Sequence, residues 1–233
     1  MVRRTIFAVM AVIALGVADG TLRAQTPPSE RDLRIYAGLH AAAANGDVAE
    51  IERLIAAGER PDIQDSHSRT PLHVAVYRKH YAAARALLRL GANPNALDAQ
   101  RYDILTIAAV HNDIDMLNIA LEGGASPRNI TSPYDGTALI AAAHRGHVEV
   151  VRILIAKNAP LDHVNRLGWT ALIEAVVLGN GSANHVATVE VLVKAGADTE
   201  IKDRQGATAL TYARQRGYSD MVRILAPARG RRT

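Results

Sequence analysis

Apolar positions recur along this chain with one long period. Leucine falls at Leu39, Leu72, Leu105, Leu139, Leu172 and Leu210, at intervals of 33, 33, 34, 33 and 38 residues, and alanines follow most of them within a helical turn. A second apolar stretch, such as Val148 to Ile155, comes shortly after and is long enough for another helix. Beyond each second stretch stand Gly58, Gly91, Gly124, Asn158 and Gly196, spaced by 33, 33, 34 and 38. Glycine and asparagine are the residues that best tolerate the left-handed backbone that stops a helix. Two rulers with separate physical causes, side-chain burial and backbone handedness, keep one register. They predict an all-α array of six helix pairs. No single pair can bury both its faces, so the stack is the folding unit.

The block Thr70-Pro71-Leu72-His73-Val74-Ala75, with Leu87-Leu88-Arg89-Leu90-Gly91-Ala92-Asn93 after it, resembles the ankyrin repeat. The resemblance implies an all-α solenoid of about six helix-turn-helix repeats over residues 38–226, with short β-hairpin-like loops that line, together with the first helices, a concave face that binds a protein partner. It also implies a structural role for His40 and His73, whose imidazoles would bridge backbone groups of adjacent turns. Thr70, Thr137, Thr170 and Thr208 are expected to cap the first helices, and Pro71 suits a first turn. Residues 25–37 read as a linker and capping helix. After Pro27 and Pro28, Ser29-Glu30-Arg31-Asp32 has the form of a capping box that starts a helix through Tyr36. At the other end Arg214, Gln215, Arg216 and Asp220 give the last repeat a more polar surface.

Residues 1–24 have a different pattern. Arg3 and Arg4 precede an uncharged apolar run from Ile6 to Ala18, and small residues follow at Ala18, Gly20 and Ala24. This is the layout of a secretory signal peptide, with cleavage expected after Ala24. The run is shorter than the roughly 20 residues of a spanning helix, so no stable membrane anchor is expected. The expected location is therefore periplasmic or secreted. With no cysteine, export brings no disulfides, and stability must come from packing. Aromatic residues make up only 4% of the chain, so that packing relies on small side chains.

Charge adds little. The formal +4 falls to +2 without residues 1–24 and to −1 without Arg229, Arg231 and Arg232 of the basic tail 227–233, which is expected to be disordered. The repeat body is close to neutral, so no nucleic-acid partner is expected. A monomer is expected.

Function is sought where the pattern breaks. In the third repeat Tyr102-Asp103-Ile104-Leu105-Thr106 replaces the Thr-Pro-Leu-His block, which predicts a weaker cap and puts Tyr102 near a loop tip. The fourth enters through a loop, Ile130 to Gly136, that is one residue longer than its neighbours. The fifth carries an insertion within Leu178-Gly179-Asn180-Gly181-Ser182-Ala183-Asn184-His185, read as a longer loop between helices. It lacks the preceding strand and the Lys-Ser/Thr of a phosphate loop. No Gly-x-Ser-x-Gly elbow and no zinc motif is present, so neither an enzyme nor a metal or other cofactor is expected. The expected partner-binding set is His67, Arg69, Tyr77, Arg78, Tyr102, His111, Tyr134, His144 and Trp169, because tyrosine, tryptophan and arginine dominate interface hot spots. The alternative is a small-ligand or hydrolytic pocket between the fourth and fifth repeats, formed by His144 with Asp135, Glu174 and His185.

Overall fold

The structure is a computed structural model that describes residues 25–226. The expected signal peptide and the basic tail lie outside the described residues.

Helix α1 (Glu30–Ile35) precedes six pairs: α2 (Gly38–Asn45) with α3 (Val48–Ala56), α4 (Pro71–Tyr77) with α5 (Tyr81–Arg89), and α6 (Ile104–Val110) with α7 (Ile114–Glu122). Then come α8 (Ala138–Arg145) with α9 (Val148–Ala156), α10 (Ala171–Val177) with α11 (Ala183–Lys194), and α12 (Ala209–Arg216) with α13 (Ser219–Leu225). First helices pack on first helices in order, and second helices on second helices. The two layers enclose one continuous core. Leu39, Leu72, Leu105, Leu139 and Leu172 are all buried in it, whereas Leu210 in the last pair is half-buried.

Local chemistry explains the register. Thr70, Thr137, Thr170 and Thr208 each occupy the N-cap of a first helix and accept a bond from the backbone N–H three residues on. The third repeat departs from expectation. Its cap is not weakened, because Asp103 stands at the threonine position and accepts the Thr106 N–H at 2.8 Å. The second helices end on left-handed residues, with φ of 99° at Gly58, 93° at Gly91, 92° at Gly124, 62° at Asn158 and 93° at Gly196. Ser29 caps α1 in a reciprocal box with Asp32.

The loops between pairs are held by side-chain turns more than by β pairing. Asp65, Asp98, Ser132, Asn165 and Asp203 lie seven residues before the successive leucines. Each directs one oxygen at the backbone N–H groups two and four residues ahead. The longer fourth loop adds an antiparallel bridge from Thr131 to Gly136, the one isolated bridge among the described residues.

The insertion is not simply a longer loop. It gives α11 12 residues where α9 has 9, so that Ala183 and Asn184 begin a helix that contains His185 in its first turn. Gly179 is required where the chain turns back, since a Cβ there would lie 2.1 Å from the Ala175 carbonyl oxygen.

Candidate functional site on the face of the first helices

Of the nine histidines, six donate a ring N–H to a backbone carbonyl of a neighbouring repeat. His40 reaches Arg69 O (2.8 Å), His73 Tyr102 O (3.1 Å), His80 Ala44 O (2.9 Å), His147 Ala109 O (2.9 Å), His163 Asp135 O (2.6 Å) and His185 His144 O (3.0 Å). These rings join adjacent repeats, alongside backbone bonds between loop tips from Ala99 to His67, Ser132 to Arg101 and Arg166 to Tyr134 (each 2.8 Å). Only His67, His111 and His144 remain, and His67 Nδ1 accepts from Arg69 (3.2 Å). Among the described residues no group of three or more histidine, cysteine or acidic side chains is placed to hold a metal ion.

The nine residues of the expected contact set divide into three groups. Arg69 and Trp169 are buried, which corrects their assignment as contact residues. Arg69 spends its guanidinium on Asp65 (2.7 Å), Asp32 (3.0 Å) and the Thr26 carbonyl (3.3 Å), fastening the segment around α1 to the first loop. Trp169 packs in the core and donates its indole N–H to Asp203 (3.3 Å) in the next loop. Both anchor one loop to a neighbouring element, and their bulk at a loop tip does not show which way they turn.

His67, Tyr102 and Tyr134 lie at the loop tips, the first two half-buried and Tyr134 38% exposed. Tyr77, Arg78, His111 and His144 gather at the opposite, C-terminal ends of the first helices. Tyr77 meets His111 edge-on at 6.5 Å between ring centroids. Arg78, His111 and His144 are exposed. A notch of about 90 Å³ opens here between the second and third repeats, with Val76, Ile107, Ala108 and Met116 below and Tyr77, Lys79, His111 and Asp113 around it.

Glu174 is the chemical exception. It sits two residues after Leu172, where the other repeats carry Ala41, Val74, Ile107, Ala141 and Tyr212, and it is buried. Burial pushes its carboxyl up to about 8, although a 2.7 Å bond from the Asn165 amide opposes the shift. Its second oxygen faces His144 Nδ1 at 3.5 Å. The His144 imidazole is lowered to about 4 by desolvation, with Arg145 and His185 adding to the effect. At neutral pH the pair is a carboxylic acid beside a neutral imidazole. Asn165 went unnoticed in the sequence. Its signal was an amide where three other tips carry aspartate.

The polar groups assigned to a pocket at this junction are otherwise engaged. His185 stands on α11, not on the inserted loop, and its second nitrogen faces Ser182 Oγ (3.1 Å). The Asp135 carboxylate pairs with Arg166 (2.5 Å) and Arg101 (3.4 Å). Glu174 and His144 share one contact, at 3.5 Å.

Residues 27–98 and 105–203 match the family model for ankyrin repeats in three copies. The chain is similar to the ankyrin repeat protein YahD of Escherichia coli (strain K12), 34% identical over 96 residues that make up 41% of this chain and 48% of YahD. It is also similar to the mouse protein phosphatase 1 regulatory subunit 27, 39% identical over 77 residues, 33% of this chain and 47% of that one. These matches span about half the length of the relatives. Among solved structures, an ankyrin repeat domain from Acinetobacter baumannii AYE is 42% identical with a TM-score of 0.76, covering 80% of this chain and 95% of its own. A chain in the complex of the Bd0816 predatory endopeptidase from Bdellovibrio bacteriovorus with immunity protein Bd3460 is 25% identical with a TM-score of 0.68, covering 82% and 97%.

Proposed function

Because the chain belongs to the ankyrin-repeat family, whose repeats indicate a protein-protein interaction module, we propose that it binds a protein partner across the concave face formed by its first helices and loop tips. It does so in the periplasm and protects or regulates an envelope or periplasmic protein. The observation that carries this reading is the display of Arg78, His111, Tyr134 and His144 on side chains open to solvent, above a packed and internally bonded frame. Such a frame holds contact groups in place at little entropic cost on binding. The solved complex of an endopeptidase with its immunity protein supports an enzyme as the class of partner. The compartment rests on Arg3, Arg4 and the apolar run from Ile6 to Ala18.

Immobilised protein is expected to retain a partner from periplasmic extract, and the Tyr134→Ala and Arg78→Ala variants are expected to lose it. Both side chains are exposed, so the variants should keep the fold, as circular dichroism would verify. Retention of the same partner by both variants overturns the assignment of the face. A reporter that is active only after export, fused behind residues 1–24, tests the compartment; a reporter that stays inside the cell overturns it.

A further inference from the structure

The second helices and the first helices manage charge differently. On the second helices Arg53 pairs with Glu50, Arg85 with Glu122, Arg89 with Glu52, Arg152 with Glu149, Lys194 with Glu190 and Arg223 with Asp220. At the C-terminal ends of the first helices, Arg78, His111 and Arg145 occupy one equivalent position, six residues beyond Leu72, Leu105 and Leu139, and all three are exposed. Among the described residues Arg78 and Arg145 enter no ion pair. Their place at helix C-termini, beside carbonyls with partial negative charge, lets them stand without a carboxylate.

Asp115 and Glu149, in the first turns of the helices that follow, are exposed, whereas other acids of the first helices and their loops are withdrawn from solvent. Asp98, Asp103, Asp113 and Glu174 are all buried. Asp103 is taken by the Thr106 N–H and Asn129 (both 2.8 Å), and Asp113 by the Met116 N–H (3.0 Å), Tyr81 (3.2 Å) and Lys79 (3.5 Å). What faces outward is a row of Arg78 and Arg145 with the His111 imidazole between them, a ring that desolvation and then Lys79 and Arg145 hold below its ordinary value, and the notch of about 90 Å³ lies beside His111. That volume is below the roughly 300–1,000 Å³ of small-molecule pockets and suits a single side chain.

We propose that the partner lays an acidic, extended segment along this row, with a carboxylate at every third residue. The inference rests on the protein-binding reading above and adds the chemistry of the partner. Spacing supplies the register. Packed helices stand about 8–10 Å apart. A polyproline II segment rises about 3.1 Å per residue with three residues per turn, so every third side chain returns to the same side after about 9 Å. A β-strand alternates its side chains with a period of two and sends every third one to the opposite face. A long polyanion such as nucleic acid fits less well, since the body beyond this row carries exposed acids and the chain without residues 1–24 and 227–233 has a net charge of −1.

The probe is a fluorescein-labelled peptide of four Glu-Pro-Pro units, titrated against the protein at low salt. It is expected to bind, to weaken at least tenfold with Arg78→Glu or Arg145→Glu, and to be unaffected by Arg152→Glu on a second helix. A peptide of the same composition with its four glutamates adjacent is expected to bind more weakly, and four Lys-Pro-Pro units not at all. Absence of binding overturns the proposal, as does equal binding by the charge-reversed variants, an equal loss with Arg152→Glu or equal binding of the clustered peptide. A single-stranded oligonucleotide that binds as tightly and with the same variant profile overturns the choice of a protein segment. If Arg78→Ala and Tyr134→Ala abolish partner capture while the peptide fails to bind, the binding face stands and only its acidic ligand falls.

Discussion

In the loop that leads into α4, Asp65 turns one oxygen to the backbone and the other to the Arg69 guanidinium and the Tyr36 hydroxyl (2.6 Å). In the loop that leads into α10, Asn165 uses its oxygen in the same way but offers an amide outward, to a buried carboxylic acid. The backbone geometry is shared and the charge chemistry is opposite. The first loop satisfies its outward atom with ions, which fasten α1 to the array. The other is satisfied with neutral groups, which leaves Glu174 protonated at neutral pH. The last loop offers a third solution, in which Asp203 accepts from both Trp169 and Tyr212. The turn thus demands an acceptor at this position and leaves the outward chemistry free to differ between repeats.

The ionic loop is the one that breaks hardest. Arg69→Ala leaves Asp65 and Asp32 without their cation, and loss of one partner from a buried pair costs about 3–5 kcal/mol. A fall in the urea midpoint and rapid amide exchange in residues 30–35 are expected; an unchanged midpoint would refute the ionic account. The acid side follows. Burial raises Asp32, but the Ser29 N–H and then Arg69 outweigh it and hold the carboxyl at about 2. A depressed carboxyl contributes stability above its unfolded value, near 4, and loses it as the pH falls through 2. That loss is expected in the wild type and is expected to be smaller in Arg69→Ala.

Exchanging the chemistry of the neutral loop sharpens the contrast. Asn165→Asp keeps the turn acceptor but sets a carboxylate against Glu174 and removes its donor, at an expected cost of about 1–3 kcal/mol. Adding Glu174→Gln restores a donor facing the introduced carboxylate, so the double variant is expected to recover most of the loss. A double-mutant cycle without coupling would show that the two side chains do not act together.

The effect of Glu174→Gln alone is a matter of pH, which sets its size. The folded carboxyl lies at about 8, above its ordinary value of 4.5. The wild type therefore holds its full stability below 4.5 and loses part of it as the pH rises toward 8. Glutamine keeps the bond from Asn165 and does not titrate. The variant is expected to melt higher than the wild type at pH 8 and to match it near pH 4.5. Parallel melting curves across that range would refute the raised carboxyl.

The frame was legible because its causes are local. A leucine every 33 or 34 residues through the first five repeats, a threonine at four of the first-helix caps and a left-handed residue after each of the first five second helices act within a few residues of themselves. Asp103 shows the limit of matching the pattern by residue name. It replaces threonine and still caps α6, since either side chain supplies the oxygen. The site was less legible. Trp169 and Arg69 are residue types favoured in interfaces, yet each is buried by a partner some thirty-odd residues away, in Asp203 and Asp32.

The sequence alone thus determined the repeat, its register and the chain segments in which the pattern breaks, because these follow from periodic burial and backbone handedness. Tertiary structure decided which polar groups remain available. Asp135 and His185 are engaged by residues in other repeats, and Glu174 is a neutral acid only because α10 carries it into the core. Arg78 and Arg145 are open for the complementary reason that no carboxylate among the described residues forms an ion pair with them. Such contacts between repeats set solvent access, and solvent access sets both charge state and the capacity to bind.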